Sequence, residues 1–246
     1  MTDKSPIWQR WLVLGVALLG MGVAFSLGLW QLGRAAEKTA LQAAKTEQAN
    51  KVALDGRTLG TALDDPQRAG LIHRRMVLLG RWLPQYTVFL ENRQMNAKPG
   101  FFVLMPLQIE GTNGLILVQR GWAQRSFTDR AALPVIQTPE GLVEIEGHLA
   151  PWPSRLYDFG GVEKGPIRQN LDLHAFRIET GLGLLDVSFL QSGPASEGLL
   201  REWPVVVSGV EKHHGYAFQW FGLSGLIALL YVWFKIVQPR RQKRTA

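Results

Sequence analysis

The chain has no cysteine among its 246 residues, and that absence removes several chemistries at once. No disulfide, thiolate nucleophile, Cys-x-x-Cys redox pair or covalent c-type haem attachment can form. Catalytic signatures are equally scarce. Gly222-Leu-Ser224-Gly225 lacks the final glycine of a nucleophile elbow, and Gly181-Leu-Gly183 lacks the third glycine of a dinucleotide loop. There is no P-loop. The five histidines, His73, His148, His174, His213 and His214, include no pair at metal-ligand helix spacing. Glu144 and Glu146 share a strand face opposite Val143 and Ile145, the pattern of a solvated side. The residues therefore give no support to an enzyme, and a non-enzymatic role is expected.

What the chain has in quantity is apolar sequence. A bilayer core of ~30 Å takes about 20 apolar residues to cross as a helix. Trp11–Gly33, between Arg10 and Arg34, meets that length, and so does His213–Phe234, between Lys212 and Lys235. The first run is too long for a cleaved signal peptide and continues directly into helix-favouring residues, although Ala24-Phe25-Ser26 imitates a cleavage site. After Glu211 no acidic residue follows, and the tail carries Lys235, Arg240, Arg241, Lys243 and Arg244. Such a tail stays in the cytoplasm, while a long loop between spans translocates despite its charge. The net charge of +7 is thus read as topogenic: the tail meets membrane lipid and not nucleic acid.

The predicted organisation follows. Residues 1–10 form a cytoplasmic tail, 11–33 the first span, 34–50 a helical extension rich in Ala, Glu, Lys, Gln and Leu, 51–212 an extracytoplasmic domain, 213–234 the second span, and 235–246 a basic cytoplasmic tail. The N-terminus lacks an Arg- and Ser-rich presequence. The expected location is a bacterial inner membrane, multi-pass, with the central domain periplasmic and both termini cytoplasmic.

The central domain, about 160 residues, suffices for one core. Arg74–Trp82, Thr87–Asn92, Phe101–Ile109, Leu115–Ala123, Val143–Leu149 and Leu184–Gln191 read as strands, and Leu171–Thr180 as a helix. Leu83-Pro84-Gln85, Lys98-Pro99-Gly100 and Gly111–Gly114 are predicted turns, and Asp64-Asp65-Pro66 another. The fold class is an α+β membrane protein: two transmembrane helices flanking a mainly antiparallel β extracytoplasmic domain, its sheet curling toward a barrel.

The second span concentrates polar and aromatic residues at one end. His213, Tyr216 and Trp220 fall at i, i+3 and i+7 and share a helix face. On the first span, Gly20, Ala24 and Gly28 form a small-residue stripe that admits a close helix neighbour. An antiparallel pair of spans brings Trp30, Gln31, Arg34 and Lys38 to the depth of that cluster. An interfacial aromatic belt with snorkelling cations would use the same residue types. The set also suits a haem: His213 as iron ligand, Tyr216, Trp220 and Trp30 facing the porphyrin, Arg34 or Lys38 beside the propionates. Without cysteine, attachment would be non-covalent.

The chain resembles the Surf1 family of cytochrome c oxidase assembly proteins. The resemblance rests on Leu27-Gly-Leu-Trp-Gln-Leu-Gly-Arg34 with Glu37-Lys38, on Glu91-Asn-Arg93 with Gly100 and Pro106-Leu107, on Val118-Gln-Arg120-Gly121-Trp122, and on His213-His-Gly-Tyr216-Ala-Phe-Gln-Trp220-Phe221. Gln119 stands where the family usually has asparagine, and Ala123-Gln124 where it has Val-Pro. The resemblance implies an assembly factor, haem a as cofactor, cytochrome c oxidase subunit I as partner, and haem a synthase as a second partner. It selects His213 over His214, because the family's haem-associated histidine precedes the motif tyrosine by three positions. Arg120, Gly121 and Trp122 are expected to be structural or partner-binding. A haem-free scaffold that grips oxidase subunits through the outer domain is the alternative.

Overall fold

Ile7–Asn50 forms one uninterrupted helix, α1. Its 44 residues contain no proline, and at ~1.5 Å per residue they extend for about twice a bilayer core. The helical extension predicted after the first span is therefore continuous with it. In the computed structural model, residues 6–60, 65–129, 132–157, 163–203 and 209–244 are described. The chain divides into two compact units, Met1–Ala44 with Val206–Ala246, and Lys45–Val205.

In the first unit, α1 is joined by α5 (Val210–Val232), which starts after Gly209 at a φ of +64°. Both helices are apolar and long enough to cross a membrane. The second does not stop at Val232. It widens into a π-helical turn, Trp233–Val237, and resumes as α6, Gln238–Arg244. Pro239 accounts for the widening, since its ring has no N–H and crowds the carbonyl one turn earlier. Residues eight apart on a regular α-helix point about 80° apart; across the wider turn, the Arg241 guanidinium lies 5.5 Å from the Trp233 ring centre.

The second unit holds β1 (Leu54–Asp55), short helices α2 (Arg57–Gly60) and α3 (Asp65–Gly70), and strands β2 (Arg75–Trp82), β3 (Val88–Met95), β4 (Lys98–Ile109), β5 (Leu115–Gln124), β6 (Val143–Ala150), β7 (Ile167–Arg168) and β8 (Leu184–Gln191), with α4 (Leu173–Thr180) before the last strand. Strand order runs β1-β2-β6-β8-β5-β4-β3-β7, and β2 also pairs with β4. That extra pairing closes β2, β6, β8, β5 and β4 into a ring. Inside it lie Met76, Leu78 and Trp82, Met105, Leu107 and Ile109, Ile116 and Val118, Ile145 and Leu149, Val187 and Phe189. Each strand contributes alternate residues, the period-2 pattern that made these runs legible. Glu144 and Glu146, between them on β6, are exposed.

Three pairings are parallel rather than antiparallel: β1 with β2, β3 with β7, and β5 with β8. A parallel neighbour needs a long crossover, and β8 reaches β5 only after β6, β7 and α4 have intervened. Two predicted turns also fall elsewhere. Lys98-Pro99-Gly100 begins β4, paired with Met95, Gln94 and Arg93. The chain reverses instead at Asn96 and Ala97, both at positive φ (50° and 60°), the geometry of a two-residue hairpin. Asp65 and Pro66 open α3 rather than a turn, proline being suited to a first helical turn; Asp64 lies outside the described residues. Helix α4 is capped by the Asp172 carboxylate, which accepts from Ala175 N–H, and ends at Gly181 in the left-handed region. Its Phe176 packs with Val88, Leu90, Leu104, Leu117, Leu171 and Leu184 on the outside of the ring.

Burial, and then the charge of His73, hold the His148 imidazole below its ordinary value of 6.5. The unfolded chain therefore binds a proton that the folded domain resists, so stability is complete above about pH 6.5 and falls as pH drops from there. Glu179 behaves alike in direction but lower on the scale, its carboxylate held down first by the Arg168 hydrogen bond. Thermal melts at pH 7.5 and 5.5 are expected to show the domain weaker at 5.5, with His148→Gln reducing the difference. Equal differences in the two proteins would remove His148 from the account.

Candidate functional site

The spans meet along a seam with alternating steps of three and four residues. On α1 it is Met21, Ala24, Gly28, Gln31 and Ala35; on α5, His213, Ala217, Trp220, Ser224 and Ile227, all buried or half-buried. This is the spacing of left-handed helix pairs. The contacts fix an antiparallel register. Ser224 Oγ donates to the Met21 carbonyl at 3.1 Å. Phe221 covers Gly28, where a Cβ would sit 2.5 Å from its ring, and its centroid is 5.2 Å from that of Phe25. Ile227 reaches the Gly20 position at 3.6 Å. The predicted small-residue stripe on the first span is thus the surface that packs on the second.

At one end of the seam, His213 Nδ1 lies 2.7 Å from Gln31 Oε1. With the amide in that orientation, Nδ1–H donates and Gln31 Oε1 accepts. The other ring nitrogen, Nε2, has no hydrogen-bond partner among the described residues. His214 is exposed and points about 100° away from His213 around the helix, off the seam.

The remaining candidates follow from helical phase. On α1, Lys38 lies about 50° from the seam, Arg34 about 90°, and Trp30 further round. On α5, Trp220 is itself a seam residue and Tyr216 lies about 80° from the seam, in the sense that an antiparallel pair brings to the same flank. Two contacts on that flank agree: Lys38 Nζ lies 3.7 Å from the Gly209 Cβ position, and Gly20 faces Ile227. Helical phase thus puts Lys38 and Trp220 nearest His213 on this flank, with Arg34 and Tyr216 further round and exposed, and Trp30 turned away from the seam. Arg34 already has a neighbour, Glu37, whose Oε2 is 2.8 Å from its Nη1, and it stacks 5.8 Å over the Trp30 ring. Both side chains of that ion pair are more than half exposed, so it is weak and exchangeable. Gln31 is the residue whose role the sequence left unassigned; its signal was an amide at a span end, in phase with the Gly28 stripe.

The motif residues of the barrel are differently employed. Arg120 continues the inward series Ile116, Val118 and is 0% exposed. Its Nη1 donates to Thr138 Oγ1 at 2.8 Å, and its Nη2 to Gln137 O at 3.0 Å and Glu197 Oε2 at 2.7 Å. The guanidinium sits 4.5 Å over the Trp82 ring. Gly121 lies where a Cβ would come within 2.8 Å of Leu199 Cβ and Leu200 O, because Trp122 and Leu200 exchange backbone hydrogen bonds. Trp122 Nε1–H donates to Arg93 O at 2.8 Å, and its ring occupies the space above Gly100. Arg93 follows a bulge at Asn92, φ 58°, and donates to Ser154 O and Gln169 O. Glu91-Asn-Arg93, Gly100 and Arg120–Trp122, far apart in sequence, thus interlock. Among the described residues no group of acidic residues and histidines is arranged to hold a metal ion.

These features define a class: a two-span membrane protein with a polar histidine–glutamine pair clasped between its spans and a closed β-barrel domain between them in sequence. The family model described as SURF1 family matches residues 18–225, and the chain belongs to that family. It is 24% identical over 215 residues to a SURF1-like protein of Rickettsia bellii, covering 85% of each chain. To a SURF1-like protein of Rickettsia felis it is 26% identical over 229 residues, 89% of this chain and 95% of the relative. A match to the cytochrome oxidase assembly protein SHY1 of Saccharomyces cerevisiae, 28% identical over 129 residues, covers 49% of this chain and 32% of that one.

Proposed function

We propose that this protein is a non-enzymatic assembly factor for a haem–copper cytochrome c oxidase, and that it holds haem a at the outer membrane surface for delivery to subunit I. Membership of the SURF1 family and the similarity to a protein named for cytochrome oxidase assembly support the assembly role. The observation that carries the haem reading is His213, whose Nδ1 is occupied by Gln31 while Nε2 keeps its lone pair for a metal. The residues present suit the group: an uncommitted imidazole nitrogen, aromatic faces at Tyr216 and Trp220, and cations at Arg34 and Lys38 on the same flank.

Haem a is the cargo here; its iron accepts an imidazole and its propionates carry negative charge. His213 binds through Nε2. Arg34 exchanges Glu37 for a stronger anion, and Lys38 adds charge where the membrane gives way to water. Tyr216 and Trp220 offer apolar faces with polar tips, suited to that boundary. One histidine gives a bond that can be surrendered, as a carrier requires. The basic tail supports cytoplasmic termini and a periplasmic barrel in a bacterial inner membrane, and delivery to subunit I brings haem a synthase into reach as a second partner.

Protein purified from cells making haem a is expected to show a Soret band that falls severalfold in His213→Ala. An unchanged band in that variant would overturn the haem reading. The haem-free scaffold would use the barrel unit, where Phe127 and Val135 are 76% and 88% exposed. It requires normal oxidase assembly in His213→Ala and failure in Phe127→Ser/Val135→Ser.

A further inference from the structure

A neutral imidazole has one donor nitrogen and one acceptor nitrogen, and its neighbours decide which is which. At the end of the seam, a single neighbour decides. With its amide oriented as in this structure, Gln31 Oε1 accepts, which holds the proton on Nδ1 and leaves the lone pair on Nε2; the other tautomer would pair with a flipped amide. The opposite tautomer would put hydrogen on Nε2 and close it to a metal. Gln31 is held in phase for this task by the packing around it: Gly28, one turn to one side, is covered by Phe221 of the partner helix, and Ala35, one turn to the other, is buried. A polar pair inside a largely apolar helix interface is unfavourable unless its groups satisfy each other.

We infer that Gln31 is the positioning residue for His213, fixing the tautomer and ring direction in which Nε2 meets iron while keeping that nitrogen only weakly basic. The inference rests on the haem reading above and adds how the site is tuned. Metal-binding histidines commonly donate their second N–H to a carboxylate or a backbone carbonyl, and a carboxylate raises the basicity of the ligating nitrogen. A carboxamide orients the ring in the same way but carries no charge, so it adds little to the strength of the iron bond. Cargo that must be handed on needs a ligand of this kind. The resident haem of a permanent cofactor site would be better served by a glutamate at position 31.

The test uses the full chain in detergent, with ring-nitrogen-labelled histidine. Without haem, the His213 spectrum is expected to show Nδ1 protonated and Nε2 bare. Gln31→Leu should shift it toward Nε2 protonation, and Gln31→Glu should restore the original pattern. With ferric haem as the added probe, Gln31→Leu should bind about 10- to 100-fold more weakly. Gln31→Glu should bind more tightly than the unmodified protein and release haem to apomyoglobin more slowly. Recovery in the glutamate variant shows that the leucine variant has not simply lost its helix pairing. If haem binds through His213 and Gln31→Leu changes affinity less than twofold, the inference falls and the haem reading stands. Should the unmodified protein bind haem no better than His213→Ala, the reading falls and the inference with it.

Discussion

Replacing Arg120 by methionine is expected to lower the melting temperature of the barrel domain by roughly 10 °C. The guanidinium is wholly buried among apolar residues, and its hydrogen bonds go to Thr138, Gln137 and Glu197. Methionine nearly fills the space, so the loss is electrostatic and not a cavity. Removing one partner of a buried ion pair costs about 3–5 kcal/mol. Glu197 keeps Arg201 at 3.4 Å and some contact with water, which places the cost near the lower figure. About 3 kcal/mol corresponds to ~6–12 °C for a domain of this size. Arg120→Met/Glu197→Gln should recover part of the loss, because the stranded charge is gone. If calorimetry finds the single variant within 2 °C of the parent, Arg120 is not a keystone of the barrel.

Gly28→Leu is expected to wedge the spans apart along the seam, at Gly20–Ile227 as well as at Gln31–His213. A Cβ at this position already meets the Phe221 ring at 2.5 Å, and Phe221 is backed by Phe25, so the ring has little room to retreat. Overpacking of this kind costs about 1–3 kcal/mol. The Gln31–His213 hydrogen bond is one turn away, and interhelical bonds in membranes are worth only ~0.6–2 kcal/mol. Haem affinity should therefore fall about tenfold or more, each factor of ten being ~1.4 kcal/mol. The cysteine-free chain supplies a direct readout. Gly20→Cys with Ile227→Cys should crosslink efficiently in the parent and several times less in the leucine variant, with no other thiol to compete. Equal crosslinking would refute the wedge.

Two kinds of structure were legible in the sequence. Alternation in Arg75–Trp82 and Val143–Ala150 marks one wetted and one dry side, and Leu115–Gln124, buried on both faces, shows as a short apolar run; both signals are local. The two spans, and the continuity of α1 beyond the first, follow from length and composition. Pairing partners were not legible, because nothing local in Leu184–Gln191 says that it lies parallel to Leu115–Gln124. The hairpin at Asn96-Ala97 was hidden by the louder Lys98-Pro99-Gly100, whose proline and glycine sit in a strand. The depth of the His213 cluster came from topology. The hydrogen bond to Gln31 needed the phase of both helices, which the Gly20–Ala24–Gly28 stripe supplies for only one of them. The π turn was missed although Pro239 marks it, because a proline just past an apolar run reads first as a helix stop.

Closure of the ring has a consequence for how the molecule is made. Strand β8 sits between β6 and β5, so neither can find both its neighbours until Gln191 has been synthesised. Pairings so distant along the chain form slowly, and until then β5 and β6 present bare edges that invite aggregation. The second span begins at Val210, shortly after β8 ends. Nascent chains will therefore reach their second span with the barrel barely shut, and a holdase would find its client in that interval.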